Sequence, residues 1–228
     1  MTKPFFHAII YGEKKDNGET MIQLKDYLYN PCRSLSIPYW KQSRITIPSN
    51  MKIVHDDEFN STDFVGFLDE PYFRLYHNLQ EVQQTHRADI EVVVGAADML
   101  DIFVNIINES YTDLMVTKEQ IKSYQKTSVY CAELWVLLKD KSGAYIGCGI
   151  ADYDKKVGEM ILEWIQVLPS YRGRGYGKYI VDFLLTQMQG KAKFATVSGK
   201  VNNATNPEKL YRKCGFIGND IWHILIKS

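Results

Sequence analysis

A predicted strand, a loop rich in arginine and glycine, and a predicted helix follow one another in the second half of this chain. Residues 159–167 have the apolar pattern of a strand, residues 172–177 read Arg-Gly-Arg-Gly-Tyr-Gly, and residues 175–189 have a helical pattern. Glycines allow the backbone to approach an anion closely, and the N–H groups and dipole at the start of a helix attract negative charge. Arginines add charge-assisted hydrogen bonds. The stretch therefore predicts a pyrophosphate site in an α/β fold.

This loop differs from two common phosphate-binding loops. A Walker loop has serine or threonine after its Gly-Lys pair, whereas Gly177 and Lys178 are followed by Tyr179. A dinucleotide fingerprint that starts at Gly173 needs a third glycine at position 178, which is Lys178. Because an isolated glycine-rich turn is often purely structural, the loop needs a second motif before it indicates a function.

The second motif is the segment 210–216, which reads Leu-Tyr-Arg-Lys-Cys-Gly-Phe. It resembles the L-Y-x-x-x-G-F helix that ends the acetyl-CoA site in the GNAT acyltransferase superfamily. Arg172, Gly175 and Gly177 resemble the Q/R-x-x-G-x-G/A signature of the same superfamily. Since both motifs occur in the expected order, the chain resembles a GNAT acyltransferase over residues 86–228.

The resemblance implies a GNAT-like fold, an α/β fold with a central mixed β-sheet flanked by helices. Hydrophobic periodicity in residues 86–228 predicts the order β-α-α-β-β-β-α-β-α-β, while the pairing of the strands rests on the resemblance. Residues 1–85 are too rich in aromatic side chains for a disordered tail. We expect them to form an ordered N-terminal extension that packs on the core.

The pattern also predicts individual elements. Helices are expected at 19–29, 98–111, 117–126 and 175–189, and a short one begins at Pro207 with Asn206 as its cap. Strands are expected at 44–47, 52–55, 72–76, 90–94, 131–138, 145–153, 159–167, 194–201 and 221–226.

Charge and cysteine content argue against several classes of protein. Lysine plus arginine and aspartate plus glutamate both total 27, so neither nucleic acid nor an anionic membrane is an expected partner. No apolar run approaches the roughly 18 residues of a membrane span, and the first residues lack the core of a signal peptide. The four widely spaced cysteines are typical of reduced thiols. We expect a cytoplasmic monomer or homodimer.

The GNAT resemblance implies acetyl-CoA as cosubstrate, an amine as acceptor, and no metal ion. The main chain of Ile165, Gln166 and Val167 is expected to bind the pantetheine arm. The residues expected at the pyrophosphate are Arg172, Gly173, Arg174, Gly175, Tyr176 and Gly177. Asn203 or Asn206 is a further expected contact, although Pro207 stands where the family often has alanine.

Three side chains are catalytic candidates. The resemblance implies that Tyr211 faces the CoA sulfur, where a phenol with a pKa of about 10 can donate a proton; the alternative is a core tyrosine. GNAT enzymes carry a base on the strand before the loop, and Glu163, then Glu159, are the candidates, with a water chain or a solvated glutamate as alternatives. Alternation along a strand places both glutamates on one face with Ile161 and Ile165.

Two other features carry weaker signals. The run from His55 to Glu58 contains metal-binding residue types, but adjacent residues on one loop rarely point at one ion, so a solvated turn is expected. Cys214 has no nearby histidine base before His223, so a small buried residue is expected rather than a nucleophile.

The main prediction is an N-acetyltransferase in which a primary amine attacks acetyl-CoA directly within a ternary complex. The alternative is a non-catalytic acyl-CoA-binding or sensor domain of the same fold, and a more remote one is an ATP-binding α/β protein. The acceptor stays open among small amines, amino acids, peptide N-termini and protein lysines.

Overall fold

The structure is a computed structural model that describes residues 21–83, 85–112 and 114–227. Its α-helices are α1 (Leu24–Tyr29), α2 (Pro31–Ser34), α3 (Leu100–Ser110), α4 (Lys118–Tyr124), α5 (Tyr176–Met188) and α6 (Pro207–Lys213). Its strands are β1 (Met51–His55), β2 (Phe67–His77), β3 (Ile90–Val94), β4 (Trp135–Asp140), β5 (Tyr145–Asp154), β6 (Glu159–Val167), β7 (Phe194–Lys200) and β8 (Ile217–Lys227). From β3 onward the predicted element order is confirmed.

The described residues divide into two compact units. Unit 1 contains residues 78–195 and 213–215, and unit 2 contains residues 21–77, 196–212 and 216–227. The boundary expected after residue 85 stays a prediction. Within the described residues, no helix is long and apolar enough to cross a membrane.

Unit 1 is built on antiparallel strands in the order β6-β5-β4-β3. One face of these strands packs against α3 and α4 through a buried apolar cluster. This cluster includes Phe103, Ile107, Ile121, Trp135, Ile150 and Trp164. On the other face Gly149 lies against Ile180 and Leu184 of α5. The helices therefore cover both faces of this part of the sheet.

Local sequence accounts for the two helices on the first face. Leu100, Phe103, Ile106 and Ile107 recur at helical spacing, and all four are buried. At the start of α4 the Thr117 side chain accepts from the Gln120 N–H at 3.2 Å, while the Gln120 side chain accepts from the Thr117 N–H at 2.8 Å. This capping box confirms the start predicted for α4.

A β-bulge interrupts the pairing of β5 with β6. Ile150 pairs with Trp164 and Ala151 pairs with Leu162, so Glu163 is the additional residue that the bulge inserts into β6. Regular alternation therefore stops at Glu163. The expectation that Ile165 shares a face with Glu159 and Ile161 is wrong, because the bulge shifts the alternation by one residue.

Unit 2 has the strand order β1-β8-β2-β7, and β8 pairs antiparallel with both β1 and β2. Buried Arg74 of β2 connects several elements of this unit. Its guanidinium donates to the Tyr27 hydroxyl (2.8 Å), the Pro31 carbonyl (3.2 Å), and the hydroxyls of Thr196 (3.3 Å) and Ser198 (3.2 Å). These bonds join α1, α2 and β7 to β2.

Several predicted boundaries need correction. Residues 44–47 form no strand, because the chain turns there with an Arg44 N–H to Lys41 carbonyl bond of 2.9 Å and reaches Pro48. The strand expected from Cys131 begins only at Trp135, since Ala132–Leu134 is a short 3-10 turn. The first helix begins at Leu24, and the predicted positions 19 and 20 lie outside the described residues.

Gly149 generates a prediction about stability. A Cβ at this position would lie 2.6 Å from Ile180 Cγ2, 3.0 Å from Val136 Cγ2 and 3.1 Å from Leu184 Cδ1. We expect Gly149→Ala to lower the free energy of unfolding by about 1–3 kcal/mol, because the added methyl group overpacks the contact between β5 and α5. Urea denaturation of both proteins measures this difference.

A double-mutant cycle provides the control. Ile180→Ala removes the atom that the new methyl group would approach most closely. The double variant should therefore lose less stability than the sum of the two single losses. Strictly additive losses would contradict the proposed close packing at Gly149.

Candidate active site

The loop between β6 and α5 turns at two glycines with left-handed backbone. The φ angle is +76° at Gly173 and +82° at Gly175, which is the N-cap of α5. Among the described side chains, none accepts a hydrogen bond at this helix start. The first N–H groups of a helix have no partner within the helix, so they are available to an anion.

The side chain of Arg172 connects the loop to two backbone carbonyls outside it. Its Nε donates to the Val167 carbonyl at 3.1 Å, and its Nη2 donates to the Ser110 carbonyl at 2.8 Å. Its backbone N–H donates to the Pro169 carbonyl at 3.3 Å and so belongs to the preceding turn. Arg172 therefore ties the loop to β6 and to the end of α3, and the N–H groups open to an anion begin after it.

Arg174 also bonds back onto the protein. Its Nη2 donates to the Ser170 carbonyl at 3.1 Å, and its guanidinium lies 5.3 Å from the centre of the Tyr171 ring. The Tyr171 hydroxyl in turn donates to Asp140 at 3.2 Å, and this bond raises the pKa of the Tyr171 phenol. The loop is thus held in place by its own side chains. Its glycines and its uncapped helix start fit the pyrophosphate site that the sequence predicts.

The end of β6 carries the residues expected along the pantetheine arm. Val167 pairs with Gly147 of β5, and its carbonyl accepts from Arg172 as described above. The Gln166 side chain donates to the Tyr111 hydroxyl at 2.8 Å, while the Tyr111 ring packs edge-on against Trp164. Ile165 lies on the opposite face, opposite Gly149 in the register. The segment between α3 and α4 therefore meets β6 just after the bulge.

Glu163 and Glu159 have different surroundings. Glu159 is fully buried and pairs with Asp154 in the register, whereas Glu163 lies at the bulge and is partly exposed. Burial raises the pKa of the Tyr124 phenol, and the charges of Glu163 and Asp152 raise that pKa further. Tyr124 of α4 is therefore a neighbour of Glu163, and it carries a neutral hydroxyl at neutral pH.

Unit 2 holds the remaining predicted site residues. Tyr211 of α6 is buried, with its ring 6.2 Å from that of Phe73 and 5.8 Å from that of Phe216. The Asn203 side chain accepts from the Thr205 N–H at 2.9 Å, and the Asn206 side chain accepts from the Lys209 N–H at 3.3 Å. Asn206 therefore caps α6 as predicted, and both asparagine oxygens take part in local turns.

The cysteines of unit 1 are poor nucleophiles. Burial raises the pKa of Cys214 to about 12, and burial also raises the pKa of Cys148 and Cys131. Cys214 is thus the small buried residue that was expected. A thiol with a raised pKa stays protonated at neutral pH, so it lacks the thiolate that nucleophilic attack requires.

Residues 55–58 form a turn, and several of its side chains have hydrogen-bond partners within unit 2. His55 Nδ1 accepts from the Asp57 N–H at 3.2 Å, and its Nε2 lies 3.2 Å from Asp220. Asp56 lies 3.1 Å from Nε2 of His223. Among the described residues, no group of three or more histidine, cysteine, aspartate or glutamate side chains has the arrangement of a metal site.

Sequence patterns did not indicate Tyr111 or Tyr124 as neighbours of the site. Both lie in the α3–α4 region, far from β6 in sequence, and a tyrosine on an amphipathic helix is normally a core residue. Only the fold brings them to Gln166 and Glu163.

Comparison with known proteins identifies the domain. Residues 131–217 match the family described as acetyltransferase (GNAT) domain. This segment is a GNAT acetyltransferase domain. The match spans the glycine-rich loop and the 210–216 motif, so the GNAT resemblance is confirmed. No curated protein sequence matches the chain.

Solved structures agree on the GNAT-like fold. A GCN5-related N-acetyltransferase from Sphaerobacter thermophilus is 15% identical, with a TM-score of 0.62 over 78% of this chain and 60% of that chain. A GNAT-family acetyltransferase from Colwellia psychrerythraea is 16% identical, with a TM-score of 0.58 over 82% of this chain and 69% of that chain. This chain thus spans 60% of the Sphaerobacter protein. The predicted mixed α/β fold is confirmed.

The loop geometry generates a prediction about binding. We expect Gly175→Val to abolish CoA binding, because valine disfavours a φ of +82° and its Cβ would lie only 3.4 Å from Nη1 of Arg87, so the loop would have to change its conformation. Isothermal calorimetry with CoA measures the affinity. Gly190→Val is the matched control, since Gly190 has a φ of +74° with open space around it at the other end of α5. Equal CoA affinity in folded Gly175→Val would contradict the predicted site.

Proposed function

We propose that this chain is an N-acetyltransferase that transfers the acetyl group of acetyl-CoA to a primary amine by direct attack. The observation that carries this proposal is the presence, on consecutive elements of one unit, of a glutamate at a strand bulge and an uncapped glycine-rich helix start. The family match over residues 131–217 supports acetyl transfer as the reaction. The acceptor is proposed only as an amine.

The loop and β6 bind the cosubstrate in this proposal. The N–H groups from Gly173 to Gly177 bind the pyrophosphate, and the main chain of Ile165, Gln166 and Val167 binds the pantetheine arm. Bound acetyl-CoA supplies the activated acetyl thioester. Asn203 and Asn206 are further proposed contacts, through atoms other than the side-chain oxygens that their turns use.

A base is needed because a primary amine is mostly protonated at neutral pH. We propose Glu163 for this role, since the bulge turns this residue out of the regular ladder and leaves it partly exposed. Fully buried Glu159 is the second candidate, because it is harder for an acceptor to reach.

Direct attack is favoured over an acyl-cysteine route. The raised pKa values of Cys131, Cys148 and Cys214 keep these thiols protonated at neutral pH. The free state of Cys32, Cys131, Cys148 and Cys214 also supports a reducing compartment, so we propose a cytoplasmic location.

The test of the proposed function is a thiol-release assay with acetyl-CoA and representative amines. Small amines, free amino acids, peptide N-termini and lysine peptides are assayed separately. Amine-dependent release of CoA thiol supports the enzyme. Calorimetric CoA binding without release by any amine class would favour the alternative, a non-catalytic acyl-CoA sensor domain.

Glu163→Gln tests the proposed base. The substitution keeps the shape and removes the charge, so we expect a lower rate and a flatter acidic limb of the pH–rate profile, because deprotonated amine then comes only from solution. Initial rates from pH 5 to pH 9 measure this. Glu91→Gln, at an exposed position of β3, is the control. A wild-type profile for Glu163→Gln would move the base to Glu159 or to a water chain.

Tyr211→Phe tests the proposed acid. Because only the hydroxyl is removed, CoA affinity should stay near that of the wild type while kcat falls about 10²-fold. Steady-state kinetics together with calorimetry separate the two effects. Tyr153→Phe is the control, since it removes a phenol that donates to the Lys191 carbonyl at 2.8 Å. Full activity of Tyr211→Phe would make Tyr211 a core residue, and solvent would protonate the leaving thiolate.

A further inference from the structure

The segment that precedes β3 runs alongside α5 and its loop. The Thr85 hydroxyl donates to the buried carboxylate of Asp182, which also forms an ion pair with Lys178 at 2.6 Å. Lys178 reaches Gln83 of the same segment at 3.1 Å. These contacts hold the residues before β3 against the first turns of the helix that follows the loop.

Arg87 extends this contact to the loop itself. Its Nη1 donates to the carbonyl of Arg174 at 2.8 Å. Its Nε and Nη2 donate to the two oxygens of Asp89 at 3.0 and 2.9 Å, and its guanidinium lies 4.4 Å from the centre of the Tyr176 ring. The Tyr176 hydroxyl closes the network by donating to Asp89 at 3.1 Å. Arg87 therefore holds one peptide of the loop, and the side chains of Asp89 and Tyr176 hold Arg87 in place.

The hydrogen bond from Arg87 to the Arg174 carbonyl also determines which way the N–H of Gly175 points. In a planar trans peptide the carbonyl and the following N–H point in opposite directions. Since the Arg174 carbonyl points at Arg87, the N–H of Gly175 points to the other side of the loop. A flipped peptide would instead present a carbonyl oxygen to an anion, which repels it.

The charge of Arg87 is already balanced. The hydrogen bonds from Arg87 lower the pKa of Asp89 to about 2, so the pair is ionised at neutral pH. An arginine neutralised in this way contributes little net charge to a ligand. Its effect on the loop is therefore through the hydrogen bond to Arg174.

We propose that Arg87 is a positioning residue that holds the Arg174–Gly175 peptide so that the Gly175 N–H faces the pyrophosphate of CoA. This inference rests on the proposed function. It adds a residue that lies 87 positions before Arg174 in the sequence and outside both motifs.

The experiment compares CoA and acetyl-CoA with acetyl-pantetheine, which lacks the pyrophosphate and the nucleotide. Arg87→Met keeps the length of the stem and removes every donor. We expect its calorimetric Kd for CoA to rise about 10-fold or more, which corresponds to one charged hydrogen bond. The KM for acetyl-CoA should rise in parallel, while kcat at saturation and kcat/KM for acetyl-pantetheine stay within about twofold of wild type.

A second variant keeps the test informative if Arg87→Met does not fold. Tyr176→Phe removes only the hydroxyl that supports Asp89, and it should raise the Kd for CoA by about twofold to fivefold with the same ligand dependence. Arg33→Met is the matched control, because Arg33 forms an exposed ion pair with Asp57 in unit 2. It should leave all constants unchanged.

The outcomes separate this inference from the proposed function. Wild-type affinity for CoA in folded Arg87→Met, or an equal loss with acetyl-pantetheine, would overturn the positioning role while the enzyme proposal stands. Absence of CoA binding to the wild-type protein would overturn both. A loss confined to ligands that contain pyrophosphate supports the assignment of Arg87.

Discussion

The additional residue that the bulge inserts into β6 determines how the candidate site is arranged. On β5 the partners of Glu159, Ile161, Trp164 and Gln166 are residues 154, 152, 150 and 148, so these four side chains share the face covered by α3 and α4. Without Glu163 as the inserted residue, the second half of β6 would turn over, and Gln166 would lose its bond to Tyr111. The bulge thus releases a glutamate from the ladder and aligns both halves of the strand.

The loop between β6 and α5 depends on arginines whose guanidinium groups bond to backbone carbonyls. Arg172 holds the carbonyls of Val167 and Ser110, Arg174 holds that of Ser170, and Arg87 holds that of Arg174. Carbonyl oxygens are the groups that would repel an anion, and each of these is engaged by a guanidinium. The N–H groups at the start of α5 remain for the anion, and nearby positive charge favours it further.

The local parts of the structure were predictable, and the long-range parts were not. The glycine turns of the loop, the buried face of α3 and the Asn206 cap each depend on residues within a few positions of one another, so their patterns are visible in the sequence. The lengths of β2 and β8 depend on pairing with each other across more than 100 residues, and both are longer than predicted. A bulge has no local signature, which is why the predicted face of Ile165 was wrong.

The contrast between local and long-range interactions also separates the binding of the cosubstrate from the binding of the acceptor in the proposed reaction. A pyrophosphate is bound by backbone, and backbone that approaches an anion requires glycine at fixed spacing, so cosubstrate binding is visible in the sequence. In the proposed reaction the acceptor is bound by side chains from separate elements. Tyr124 of α4 is a neighbour of Glu163 of β6, and no spacing rule connects these two residues. The net charge of zero is therefore a poor guide to the acceptor.

Glu163 and Asp152 make the surroundings of Tyr124 locally acidic. Since a primary amine is mostly ammonium at neutral pH, we propose that the charge of Glu163, the proposed acceptor of its proton, also attracts this form.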